Sequence, residues 1–144
     1  MEPSIERKGW RDESISRRHR LWGMGCPAID LDFVMIECNY ARPAAVIEYK
    51  HRHARPVNKE HASYRALADL CNRYTPQPLP CLVAIYDDRD WTFEVMPLND
   101  AAARHYAHCA GERLTEKRFV TSLYLMRSRK LNEYDTATIG QFNE

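Results

Sequence analysis

Apolar positions along this chain change their period several times, and each change marks a boundary between elements. Residues 12–22 repeat at helical spacing: Ile15, His19 and Trp22 fall on one stripe, Asp12 can cap the start and Gly23 can stop the run. From Asp30 to Ile36 the residues are rich in β-formers and follow Pro27, which predicts a strand. Asn39 to Pro43 is turn material, and the apolar run from Ala44 to Tyr49 predicts a second strand, antiparallel to the first. Between Asn58 and Tyr74 helical spacing returns, with Tyr64, Leu67, Ala68 and Cys71 on one face. Pro76, Pro78 and Pro80 end that helix, because proline cannot continue it. Leu82 to Tyr86 is apolar throughout, as a central strand covered on both faces must be. Beyond the turn Asp87-Asp88-Arg89-Asp90, a fourth strand alternates Trp91, Phe93 and Val95 with Thr92, Glu94 and Met96. Asn99 can cap a short helix ending at Gly111, and Thr115 a last one with Phe119, Val120, Leu123 and Tyr124 on a stripe. The tail from Leu131 is polar and reads as frayed.

The order is helix, hairpin, helix, hairpin, helix, helix. A crossover of roughly 30 residues separates the second and third strands, enough for a βαβ connection between parallel neighbours. The expected fold class is α/β, a central mixed sheet of about four strands flanked by helices.

Composition narrows this picture. With 144 residues, 44% of them apolar, the chain fits a single domain over 1–144 with one core. A net charge of +1 excludes a uniformly basic coat, although not a local basic patch. The longest apolar run is six residues, Cys81 to Tyr86, so no membrane helix is expected, and no secretory leader is visible at the start. The expected location is therefore the cytoplasm, with no membrane partner. Five scattered cysteines then read as reduced thiols. A zinc site lacks any Cys-x-x-Cys pair and has only His105 and Cys109 as an i,i+4 couple. Five glycines, none in a phosphate-cradling motif, leave nucleotide-loop chemistry without support.

Chemistry enters where charges interrupt core-forming segments. Asp30 and Asp32 open the first strand, and Glu48 and Lys50 close the second behind Ala44-Ala45-Val46-Ile47. Strand alternation puts each of these two pairs on one face. A hairpin turn near residues 40–41 sets Asp32 across from the region of Glu48 to Lys50, where opposed Cβ atoms lie about 4.5–5.5 Å apart. Two or three carboxylates at one spot repel each other unless the lysine or a divalent cation offsets them. Mg²⁺ suits the arrangement, since it takes one or two carboxylates and keeps several waters for a phosphate substrate. The acidic-x-Lys triplet alone means little: twenty acids and five lysines in 144 positions give about 0.7 by chance, and Glu6-Arg7-Lys8 is a second instance. Its weight comes from the apolar strand before it, the acid opposite and the helix after it.

The segment Ala28-Ile29-Asp30-Leu31-Asp32-Phe33-Val34, a turn, then Ala45-Val46-Ile47-Glu48-Tyr49-Lys50 resembles the active-site hairpin of the PD-(D/E)XK nuclease superfamily, with its restriction-endonuclease-like fold. The resemblance covers residues 12–96 in element order and about 25 residues in motif. It implies an Mg²⁺-dependent (or Mn²⁺-dependent) nuclease acting on DNA, with Asp32 and Glu48 as metal ligands, Asp30 as possible help, and Lys50 positioning the attacking water. It implies a third meander strand before the crossover helix, for which Gly23–Ile29 is the available segment. Many members place another acid on the first helix. Glu13 is the better candidate here and Glu6 the poorer, beside the plainer role of a helix N-terminal acid. Arg17, Arg18 and Arg20, and Arg52 beside His51 and His53, form basic runs suited to phosphates, although such runs are also ordinary solvated faces. His51 or His53 is an alternative general base. Tyr49, Tyr64, Trp10, Trp22 and Trp91 are expected in packing roles. A homodimer or a partner protein would supply specificity. The rival readings are a non-catalytic nucleic-acid- or protein-binding module on the same sheet, and a hydrolase of smaller phosphoesters.

Overall fold

The structure, a computed structural model, describes residues 13–22, 25–29, 31–38, 41–54 and 56–127. The chain divides into two compact units, residues 1–30 and 31–144. The first contains one helix, α1 (Ser14–Leu21), entered through Glu13. Asp12 and Gly23, the expected cap and stop, lie outside the described residues, as does Trp10. Trp22 is more than half exposed rather than core, and its ring lies 5.0 Å from that of His19, one turn back.

The second unit is built on a five-stranded mixed sheet in the order β1 (Phe33–Glu37), β2 (Arg42–His51), β3 (Cys81–Asp87), β4 (Thr92–Pro97), β5 (Arg113–Leu114). β1 and β2 form the expected antiparallel hairpin, with Phe33 opposite Ile47 and Val34 opposite Val46. β2 and β3 are parallel, Val46 opposite Cys81 and Lys50 opposite Ile85, joined through α2 (Ala62–Asn72). β3 and β4 return antiparallel. The apolar run of β3 is thereby explained: as the middle strand it buries Cys81, Leu82, Val83 and Ala84 on both faces.

Strand alternation sorts the core into two layers. Ala45, Ile47, Leu82, Ala84 and Phe93 face α3 (Asp100–His105) and α4 (Glu116–Arg127), meeting Ala102, Tyr106 and Phe119. Val46 and Cys81 face the other way, against Leu67 and Cys71 of α2. Asn99 joins the layers' edges. Its Oδ1 accepts from the backbone N–H of Ala102, capping α3, and from that of Cys81, while its Nδ2 donates to the Leu79 carbonyl. Thr115 caps α4 through the Arg118 N–H.

Four expectations change. β5 was not foreseen; two residues are too few to show an alternation. Among residues 25–29 there is no strand, so β1 and β2 are the only strands described before α2. Phe119 and Leu123 of the expected α4 stripe do meet the core, but the stripe also takes in Ser122, which is buried because the Tyr106 hydroxyl at 2.7 Å satisfies its hydroxyl. Trp91 sits in the turn before β4 at φ +52°, half exposed and stacked on Tyr86, so its alternation with Phe93 and Val95 does not carry it into the core. The tail from Leu131 lies outside the described residues. Among those described, no helix is long and apolar enough to cross a membrane. All five cysteines are free thiols.

Candidate functional site

β2 runs from Val46, under α2, to Lys50 near its end. The crossover helix runs back over the same face, so its later residues, Leu67 and Cys71, cover Val46 and Cys81. Its first turn reaches the end of the strand. Tyr64, one turn before Leu67, therefore stands near Glu48 and Lys50, and its phenol interacts electrostatically with both.

Glu48 and Lys50 share that face by alternation. Their side chains form an ion pair, Lys50 Nζ to Glu48 Oε1 at 3.2 Å, with Glu48 21% and Lys50 37% exposed. Phe33 lies opposite Ile47, so continuing the register by one residue sets Asp32 across from Glu48. The Asp32 carboxylate adds to the field on both Lys50 and Tyr64. Of the sequence-predicted trio, Glu48 and Lys50 are in direct contact, and Asp32, one residue before β1, is near enough for its charge to act on Lys50. Asp30 lies outside the described residues.

Protonation at this site is fixed by its neighbours. The hydrogen bond to Glu48 holds the Lys50 ammonium above its ordinary range against some desolvation, with Glu48, Tyr64 and Asp32 adding attraction. Burial raises the Tyr64 phenol, and the charges of Glu48 and Asp32 raise it further while Lys50 opposes them. At neutral pH both groups are therefore proton donors: Lys50 is a cation, not a base, and Tyr64 is a neutral phenol. With two carboxylates and one ammonium, the cluster carries a formal charge of −1. Tyr64 was assigned to packing from the sequence. The signal that could have found it is the stripe Tyr64–Leu67–Cys71 combined with a helix that must return antiparallel to β2.

The other expected site residues have different settings. Glu13 and Arg17, in the first unit, form an i,i+4 ion pair at 3.0 Å, and Arg18 and Arg20 lie on the same helix. Arg52 donates to Asp87 Oδ2 at 2.6 Å, and Arg89 donates to the same carboxylate through its backbone N–H at 3.0 Å and its guanidinium at 3.3 Å. The Asp87 side chain is only 4% exposed, and these donors, Arg52 foremost, hold its carboxyl well below the usual carboxylate range. His51 Nε2 lies 2.8 Å from Asp88 Oδ1. The His51 ring is thus engaged on the side of the strand end away from Glu48. His105 and Cys109 do not converge: the ring of His105 meets the Ser122 carbonyl, and the Cys109 thiol the Tyr106 carbonyl. Among the described residues no group of three or more His, Cys, Asp or Glu is placed to hold a metal.

Two carboxylates are enough for Mg²⁺, which completes its shell with water and substrate oxygens. Asp32, one residue before β1, and Glu48 of β2 offer hard oxygen donors, one exposed and one partly buried, so the donor set fits such an ion. No protein-family model, curated protein or solved structure matches the chain.

Proposed function

We propose that the chain is a metal-dependent nuclease of PD-(D/E)XK type that hydrolyses DNA phosphodiester bonds. The observation that carries this reading is the meeting of Asp32, Glu48, Lys50 and Tyr64 at one spot on the α2 face of the β1–β2 hairpin. Asp32 and Glu48 would hold Mg²⁺ or Mn²⁺, which when bound supplies Lewis acidity at a phosphate oxygen and a more acidic water. Lys50, kept protonated by Glu48, donates hydrogen bonds to the attacking water and to the phosphate oxygens as negative charge builds on them. Tyr64 offers a second donor at the same place. Because Lys50 stays protonated, the proton leaving the water passes to a carboxylate or to solvent. Arg52 keeps its guanidinium about one-third exposed while anchored on Asp87, a fixed cation within two residues of Lys50 and suited to a backbone phosphate.

One observation favours a second reading. Glu48 and Lys50 are paired at 3.2 Å, as in an ion pair that closes a sheet end without chemistry. On that reading the protein is a binding module for nucleic acid or protein.

Cleavage of supercoiled plasmid, linear duplex, single-stranded and branched DNA separates the two. The wild type is compared with Glu48→Ala and Lys50→Ala in Mg²⁺, Mn²⁺ or EDTA. Metal-dependent cutting lost in both variants is the expected result. Cutting that survives both changes places the chemistry elsewhere, and no cutting of any DNA leaves the binding module.

A further inference from the structure

The α4 face of the sheet carries a hollow separate from the cluster on the α2 face. Tyr49 stands between Glu48 and Lys50 in sequence, so alternation turns it to the other side, toward Tyr86, Phe93 and Phe119. With Phe33 and Trp91, these rings wall an open cavity of about 540 Å³, a size typical of small-molecule sites. Phe33 and Phe119 meet the Tyr49 ring edge-on at 5.0 and 6.3 Å, and Phe93 stacks on Phe119 at 4.2 Å. Trp91 joins the wall against its own backbone preference. A φ of +52° is unfavourable for so bulky a residue, yet it holds the indole parallel to the Tyr86 ring and leaves Trp91 48% exposed.

One charged residue lines this cavity. Glu116, in the first turn of α4, is partly buried, and among the described residues its carboxylate has no hydrogen-bond or ion-pair partner. Asp69, Asp87, Asp88 and Glu112 are each held in an ion pair, so Glu116 stands apart. Aromatic faces carry negative potential, and an unbalanced carboxylate adds to it, so the cavity repels anions such as backbone phosphates and attracts cations. A bare metal ion would exchange its hydration shell for a single carboxylate and ring faces, which is a poor replacement. An organic cation brings apolar surface for the rings as well as charge for the acid.

We propose that this cavity binds a small organic cation, an ammonium group carried on a flat aromatic body, with the body packed among the rings and the ammonium paired with Glu116. The site stands whether or not the Asp32–Glu48–Lys50 cluster cuts DNA.

Equilibrium dialysis with three probes of one shape tests it: (naphthalen-2-ylmethyl)trimethylammonium, naphthalen-2-ylmethanol and naphthalene-2-acetate. The cation is expected to bind about tenfold tighter than the alcohol, the worth of a desolvated cation–π contact, and the anion more weakly than either. Glu116→Gln is expected to bring cation and alcohol within about twofold of each other, since it removes the charge and keeps the shape. Trp91→Gly is expected to weaken all three probes with circular dichroism unchanged, because glycine accepts the left-handed backbone. Leu70→Ala, exposed on α2, should bind as the wild type does. A cation that binds no tighter than the alcohol overturns the proposal, as does the absence of binding by any probe. So does a preference for the cation that survives Glu116→Gln, or full affinity in Trp91→Gly.

Discussion

Two ionic clusters sit within a few residues of each other at the end of β2, and they are built on opposite principles. Around Asp87, one nearly buried carboxylate accepts from two arginines and a backbone N–H, so every lone pair that burial takes from water is replaced. Around Glu48, one carboxylate pairs with a single ammonium while the charge of Asp32 acts on the same lysine and on the Tyr64 phenol, and formal negative charge is left over. The first cluster spends its charges on holding the turn between β3 and β4 against the end of β2. On the proposed reading, the second keeps capacity for a cation. The difference teaches that an acid within a sheet marks chemistry only when its partners fail to balance it.

Substitutions at the two clusters should therefore separate activity from stability. The largest effect is expected from Glu48→Ala and Lys50→Ala, each lowering metal-dependent cleavage by about 100-fold or more, as loss of a group that stabilises transition-state charge does. Melting temperatures within a few degrees of wild type would show that the loss is not unfolding. Cleavage that persists in either variant would break the comparison.

Asp87→Asn should do the reverse, with a clear fall in melting temperature at pH 7 and cleavage retained at low temperature. Its pH dependence has a definite sign. A carboxyl depressed by Arg52 and Arg89 contributes stability that is present above its unfolded value, about 3.9, and is lost as the pH falls through its lower folded value. The gap between wild type and Asp87→Asn should therefore close in acid. The Lys50–Glu48 pair runs the other way. A raised ammonium contributes below its unfolded value, about 10.4, and is lost as the pH rises through its folded value. Thermal melts of Asp87→Asn and Lys50→Met across pH 3 to 11, a window spanning about 3.9 and about 10.4, check both signs.

A smaller effect is expected at Tyr64. Replacing it with phenylalanine keeps the ring over the end of β2 and removes only the hydroxyl, so cleavage should fall about fivefold, the worth of one hydrogen bond of about 1 kcal/mol, with no change in melting temperature. An unchanged rate would return Tyr64 to the packing role that its sequence position suggested.

Much of the fold was legible because period and punctuation agree. The strand run of β3, the proline stop after α2, and the caps at Asn99 and Thr115 each stand where local chemistry demands. The hairpin and the shared face of Glu48 and Lys50 were also legible, since hairpin register and strand alternation are short-range rules. What escaped depends on long-range placement. Tyr64 gains its setting from the antiparallel return of α2. The Asp87 cluster joins residues 35 positions apart across a parallel pairing that no local pattern encodes. Trp91 follows the alternation of β4 yet lies in its turn, where a left-handed backbone turns the ring onto Tyr86. Ser122 is buried because Tyr106, 16 positions away, supplies its hydrogen-bond partner.

The most direct test of the central claim is the melting temperature of the wild type, Glu48→Gln and Asp87→Asn across an Mg²⁺ titration at constant ionic strength. A cation held by Asp32 and Glu48 at ten times its dissociation constant adds about 1.4 kcal/mol, or about 5 °C in a domain of this size. The account predicts that rise in the wild type and in Asp87→Asn, and its disappearance in Glu48→Gln. An equal rise in all three proteins, or none in the wild type, would contradict it.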